Sequence, residues 1–382
     1  MKIIQEKLFF LSLGLYLIFT ILNTSFYAIY INSFSKLLMV LCVLILILKE
    51  ILLKETTRKE LLLLFISFIL LSLLLLHVNG IAMLPLFFFI YSARNIEFKK
   101  IAKFTTILSF ILLIFIIISA ELGIITNYQT ITEERTRTYL GFRYPLFPQM
   151  ILFNITLANL YANKENFSLI RSLFWIIINY WMFTYTDSRL SCYLAILLVF
   201  AVAFIQKKPN FFDNKKLLSY ILIFSFPICA ILSIGVTSSY DISSSTMYNL
   251  DEFLGGRLHL GYNSLSEYEI NLFGHDTKYI GAGLNIDGQR TVGIYNYVDC
   301  LYINMLEKYG LIFNILFLSL LSYVLYKIWQ KKDYILFIIL IGFAFHGIID
   351  DLEIYLYYNI FWLAIAQPFI TKDNNEKIET KS

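Results

Sequence analysis

Near-unbroken apolar runs recur along this chain, and they constrain its fold more than any motif does. A helix rising 1.5 Å per residue needs roughly 20 apolar residues to cross a hydrocarbon core of about 30 Å, and several runs reach that length. With 58% hydrophobic and 15% charged residues among 382, and a mean hydropathy of +0.69, the chain is too apolar for an ordinary soluble domain. The fold expected is all-α: a polytopic integral membrane protein forming a single helical domain over 1–382.

Segments 8–22, 26–48, 61–76, 80–93, 103–122, 145–161, 170–186, 190–206, 217–236, 300–328, 334–349 and 353–370 read as about twelve transmembrane helices. The first follows Lys2 and Lys7 without a small-x-small cleavage site, so it is expected to be an uncleaved helix. Lys and Arg accumulate in alternate connections, namely 49–60, 93–103, 163–171, 206–216, 327–332 and the tail. That pattern predicts a cytoplasmic side holding both termini. The other side receives His77, His259, His275 and His346 and two sizeable extracytoplasmic loops, 123–144 and 237–299, the larger between the ninth and tenth spans.

A net charge of +4 gives no reason to expect a nucleic-acid partner. Cys42, Cys192, Cys229 and Cys300 sit in or beside apolar runs without paired or metal-like spacing, and they read as packing residues. His259, His275 and Asp276 match no metal-site spacing, so no metal and no cofactor is expected. Asp350, Asp351 and Glu353, near His346, fall at a predicted outer turn and read as solvated loop charge.

Chemistry is therefore sought in the outward loops, where Arg residues run against the inward bias of positive charge. Arg143 lies among Gly141, Pro145 and Pro148 in a shaped turn entering the membrane, whereas Arg135 and Arg137 beside Glu133 and Glu134 look like a solvated cluster. Arg189 follows Asp187 and Ser188 in a tight turn, where its planar fork could hold a phosphate or simply pair with its neighbour. In the large loop, residues 257–273 place apolar side chains at helical intervals, predicting a surface helix with Arg257 near its start. Glycines after it permit turns and close approach of the backbone to a ligand. His275, Asp276 and Asp299 are candidate bases, and Arg290, His259 and Tyr302 are further candidate substrate contacts.

Taken in order, these segments resemble the Wzy polysaccharide polymerases and O-antigen ligases of bacterial envelopes. LGFRYPLFPQMILFNI is similar to the family's Gly-Phe-x-x-Pro approach to a middle helix, and TYTDSRLSCYLAILL to its Ser-Arg turn. GGRLHLGYNSLSEYEINLFGHD resembles its Arg-bearing loop helix, and YNYVDCLYINMLEKYGLI its return to the membrane. Asp299 stands where ligases of the superfamily usually carry His, which favours a polymerase.

The resemblance implies a GT-C-like fold in the bacterial cytoplasmic membrane. It implies undecaprenyl-pyrophosphate-linked oligosaccharides as substrates, joined on the outer face without a metal and with inversion at the anomeric carbon. A flippase and a chain-length regulator are the protein partners it implies. On this reading Arg257, with Asp299, His275 or Asp276, would be catalytic, and Arg143, Arg189, Arg290, His259 and Tyr302 would bind substrate.

Overall fold

The structure, a computed structural model, describes residues 2–52, 58–76, 83–132, 135–166 and 168–369. His77, Glu133, Glu134, part of the first basic connection and the basic tail lie outside them.

Helices α1 (Lys2–Asn23), α2 (Ala28–Ile31), α3 (Ser35–Ile51), α4 (Arg58–Leu74), α5 (Leu84–Ala93) and α6 (Phe98–Glu121) form the first half, and α1 packs on α3 and α6. Next come α7 (Leu146–Ala162), α8 (Leu169–Thr186), α9 (Arg189–Lys207), α10 (Phe211–Asn214), α11 (Lys216–Ile223) and α12 (Ser225–Ser238). Two loop helices, α13 (Ser245–Phe253) and α14 (Arg257–Glu267), precede α15 (Leu301–Gln330) and α16 (Tyr334–His346). The described chain ends in a 3-10 helix, Ile360–Phe369.

Among the described residues, Ile3–Asn23, Ala28–Ile51, Phe98–Glu121, Arg189–Lys207 and Leu301–Gln330 are long and apolar enough to cross a bilayer. The pair α11 and α12 makes a sixth such span if its 59° bend is counted within one crossing. Pro227 accounts for that bend, because it has no N–H for the carbonyl of Ile223. Leu, Ile and Phe side chains lie exposed along the outer faces of α3, α4, α6, α8 and α9. Such a surface is stable against lipid and would aggregate in water, so the chain is a multi-pass membrane protein.

The remaining apolar helices are shorter than their sequence runs suggest. The last expected span, 353–370, is a 3-10 turn at Leu352–Ile354 and a 3-10 helix over Ile360–Phe369. The amide of α7's buried Asn154 holds the chain before it, accepting from Ile360 N at 3.1 Å and donating to Tyr357 O at 3.3 Å. The all-helical expectation also meets a small antiparallel hairpin in the first outer loop, β1 (Gln129–Ile131) on β2 (Thr136–Thr138), with Gln129 opposite Thr138.

Contacts sort the connections into two ends. Glu6 pairs with Lys100 at 2.7 Å, Lys164 with Asp333 at 2.6 Å and Lys332 with Asp213 at 3.1 Å, so the described basic connections gather at one end. At the same end Lys49, Glu50, Glu60 and Arg94 form a buried ionic knot joining α3, α4 and α5. Loops 123–144 and 237–299 occupy the opposite end, where Arg143 N donates to Thr24 O at 3.0 Å and Leu284 N to Arg143 O at 2.8 Å.

The large loop is locked into α15. At Gly310 the helix breaks, with φ 78° and ψ 175°, and residues 271–275 fill the break. His275 N donates to Glu307 O at 2.7 Å, Leu311 N to Asn271 O at 2.9 Å and Ile312 N to Leu272 O at 3.2 Å. A Cβ on Gly310 would lie 2.5 Å from Gly274 N and Leu272 O, and one on Gly274 would lie 2.4 Å from Lys308 O. Of the loop glycines anticipated as leaving room for a ligand, Gly274 thus leaves room for backbone.

Gly310→Ala therefore combines a backbone clash with a dihedral region that costs a non-glycine residue about 1–3 kcal/mol. It is expected to free the loop, so that limited proteolysis within 237–299 accelerates in the detergent-solubilised variant. Wild-type cleavage rates would show that the interlock is absent.

Candidate functional site

The site is built where α14 meets the beginning of α15 and the turn after α16. Asp251 fixes α14 by accepting from Leu258 N at 2.8 Å and His259 N at 3.1 Å, which satisfies two of the amide donors left over at a helix start. This orients Arg257 into the protein. Its Nε donates to Ile349 O at 3.0 Å, its Nη1 to Leu254 O at 2.8 Å, and its Nη2 lies 3.4 Å from Asp299 Oδ2. The same carboxylate oxygen accepts from the Tyr295 hydroxyl at 3.4 Å. Arg257 and Asp299 keep 29% and 18% of their side chains accessible, so a ligand can reach the pair.

Behind the pair are carboxylates that sequence reading places in solvent. Asp350 and Asp351 are buried, and Glu353 and His346 are completely enclosed. With α16 ending at His346 and the chain packing back under the loop, the turn between them keeps its carboxylates largely out of water. Asp351 accepts from the Tyr297 hydroxyl at 2.6 Å and Asn304 Nδ2 at 3.1 Å. Asp350 Oδ1 accepts from Leu352 N at 2.9 Å. Burial, and then the charge of Asp299, pushes the Asp350 carboxyl up to about 7. Burial raises Asp351 as well, opposed by the Lys308 ammonium. It also raises Asp299, with Arg257 pulling the other way. A carboxyl brought near neutrality is suited to exchanging protons at physiological pH.

Further into the protein, Ser191 Oγ lies 3.1 Å from His346 Nε2, and His346 Nδ1 lies 2.9 Å from Glu353 Oε2. The order is that of a serine–histidine–carboxylate relay. Phe153 stacks on the imidazole with ring centroids 5.2 Å apart, and the Ser191 hydroxyl is buried. With no approach for a substrate, these groups clasp α9, α16 and the following turn.

A basic turn forms the second accessible part of the site. Asp187, with φ 47°, closes α8 and lies 3.2 Å from Arg189 and 3.6 Å from Arg135. Arg137 Nε donates to Thr186 O at 2.8 Å, placing a cation at the negative end of α8. Three guanidinium groups thus surround one carboxylate. Tyr144 lies within electrostatic range of Arg137 on this side and of Arg257, Asp299 and Asp350 on the other.

The other expected site residues are distributed differently. Arg143 is a strut, donating through Nη2 to Asn23 O at 2.7 Å and through Nη1 to Leu284 O at 3.3 Å. Arg189 is 68% accessible and stays with Asp187. Arg290 is exposed, its backbone bridging to Leu284. His259 packs edge-on against Tyr240 and lies 3.1 Å from Asn263 Nδ2. His275 Nε2 lies 2.7 Å from Glu269 O and 3.0 Å from Asn271 Nδ2, making it part of the loop's latch, and Asp276 beside it is exposed. Tyr302 is only 1% accessible and donates to Ala344 O at 2.6 Å. The first turn of α15 aims its ring at α16, so it is a packing residue closed to a sugar.

Asp350 and Asp351 are the groups that sequence reading misses. The gap holding them is no shorter than the one holding the exposed Arg189, so its length carries no signal of their burial. Among the described residues no three His, Cys, Asp or Glu side chains are grouped as metal ligands. Compared with family models, curated proteins and solved structures, the chain matches none.

A buried carboxyl raised to about 7 binds its proton more tightly in the folded than in the unfolded chain. That contribution is full below the ordinary carboxyl value of about 4 and is lost as pH rises towards 7. Thermal stability of the solubilised protein should therefore fall from pH 5 to pH 8, and Asp350→Asn should flatten the slope. A slope unchanged by the substitution would remove Asp350 as its source.

Proposed function

We propose that the chain is a Wzy-type polysaccharide polymerase. It joins undecaprenyl-pyrophosphate-linked oligosaccharide units on the outer face of the bacterial cytoplasmic membrane, with about twelve crossing segments in a GT-C-like arrangement and cytoplasmic termini. The observation carrying this reading is the accessible Arg257–Asp299 pair at 3.4 Å, backed by buried Asp350, on the end that bears the large loop. The basic turn of Arg135, Arg137 and Arg189 supports it as a place for phosphate oxygens.

The reaction needs few groups. As the bond from the donor's anomeric carbon to the pyrophosphate oxygen breaks, the electron pair leaves with the pyrophosphate. Guanidinium groups stabilise the negative charge that develops. The acceptor hydroxyl attacks the anomeric carbon from the opposite face, with inversion, and its proton passes to Asp299. Asp350 lies behind it as a second proton-holding group. Arg257 plays two parts: it favours the ionised form of Asp299 against the burial that raises it, and it presents its remaining donor edge to the donor's phosphate. In this scheme arginines supply the charge compensation that a divalent cation supplies in many glycosyltransferases.

A second reading has support in the buried Asp350, Asp351, Glu353 and His346, since ionisable groups enclosed in a membrane protein often mark proton paths. On that reading the chain flips lipid-linked oligosaccharide across the bilayer and leaves it chemically unchanged. A ligase, in turn, would move the glycan onto a different acceptor.

Purified protein given one synthetic lipid-pyrophosphate repeat unit is expected to produce a ladder of longer lipid-linked products. Arg257→Ala should cut elongation by about 10²–10³, the loss typical for removing one charge-stabilising donor. Arg257→Lys should recover little of it, because it provides a point charge without the fork. Unchanged substrate from folded wild-type protein would exclude a polymerase, and movement of intact substrate across vesicles would favour the flippase.

A further inference from the structure

Far from this site, at the end where the basic connections gather, α6, α7 and the residues beside them border an open cavity of 540 Å³. Its rim carries Lys103, on the first turns of α6, and Asn159, near the end of α7. Asn159 Oδ1 accepts from the Trp175 indole N–H at 2.9 Å, so its amide N–H₂ is turned away from that contact. Lys99 and Lys100 are committed to Glu165 and Glu6. Lys103 is exposed and makes no ion pair among the described residues. The lining thus offers an unpaired ammonium and an amide donor, with the Glu97 carboxylate on the same lining and that of Glu165 taken up by Lys99.

An apolar track leads from that rim along the helix. Ile107 lines the cavity, and Ile107, Ile111, Ile114 and Ile118 are all exposed. Their spacing from Lys103 is four, four, three and four residues, which keeps all five on one face of α6. From Lys103 to Ile114 the helix rises about 16 Å, roughly half the hydrocarbon core. A positive head and an apolar stripe one leaflet deep match the shape and charge of one kind of molecule.

We infer that the α6–α7 cavity is a binding site for an anionic glycerophospholipid, whose phosphate meets Lys103 and Asn159 and whose acyl chain lies along Ile107, Ile111 and Ile114. The ammonium neutralises the phosphodiester charge, and the amide supplies a directed hydrogen bond to one of its oxygens. Neither group belongs to the proposed catalytic site, so the inference is independent of the reaction.

The test is native mass spectrometry of the full chain released from nanodiscs holding equal phosphatidylglycerol and phosphatidylcholine. Wild-type protein is expected to retain one phosphatidylglycerol, Lys103→Arg to retain it too, and Lys103→Glu to lose at least about fivefold in occupancy. Lys216→Glu, an exposed charge change at the start of α11 away from the cavity, serves as the control and should leave retention intact. Equal retention of phosphatidylcholine, or equal loss in the Lys216 control, would overturn the site. So would complete displacement of the lipid by millimolar inorganic phosphate, which would show an anion pocket indifferent to acyl chains.

Discussion

The loop face of this protein is organised by one backbone-to-backbone contact, the passage of Gly274 through the break in α15 at Gly310. Breaking a helix frees amides and carbonyls that hydrocarbon cannot solvate. Here the loop segment 271–275 takes their place, donating to Glu307 O and accepting from Leu311 and Ile312. Neither strand of this crossing tolerates a Cβ, so glycine is required on both sides. The polar loop is thereby part of the membrane bundle rather than an appendage to it.

Fixing the loop fixes the side chains around it. The stretch of α15 before Gly310 carries Asn304, Glu307 and Lys308, and the loop brings Ser264, Tyr279 and Tyr297 against them. Glu307 accepts from the Ser264 hydroxyl at 2.8 Å and from the Tyr279 hydroxyl, while Lys308 lies over the rings of Tyr279 and Tyr297 at 5.0 and 5.7 Å. Because α14 is held by these contacts at its end and by Asp251 at its start, Arg257 has little freedom. Its reach to Asp299 and Ile349 follows from where both ends of its helix are anchored.

The membrane class, the separation of basic connections from polar loops, and the Arg-bearing surface helix were all legible, since each depends on patterns local in sequence. Residues 257–267 form a helix because their apolar positions recur with helical spacing. The pairing of Arg257 with Asp299 was legible only as two candidates of suitable type. What sequence could not convey is how far a turn lies from water. Asp350 and Asp351 read as solvated because turns between spans usually are, yet the chain after them packs back beneath the loop. Arg143 and Tyr302 were misplaced for a related reason: a side chain's chemistry says what it can bind, and only the fold says that Asn23 and Leu284, or Ala344, have already occupied it.

The two ends of the molecule treat buried charge differently, and the difference separates architecture from chemistry. At the basic end Lys49 and Arg94 face Glu50 and Glu60, two charges against two, with Lys49 also donating to Ser92 O at 2.8 Å. A balanced group of this kind pairs its charges internally and joins three helices at fixed separation. At the loop end Asp299, Asp350, Asp351 and Glu307 face Arg257 and Lys308, leaving carboxylates in excess. An unbalanced buried carboxylate must hold a proton or sit poorly solvated, and burial, then the charge of Asp299, drives Asp350 towards neutrality. The remedy is a proton held by one of these carboxyls, and in the proposed reaction that proton would come and go as the attacking hydroxyl gives one up.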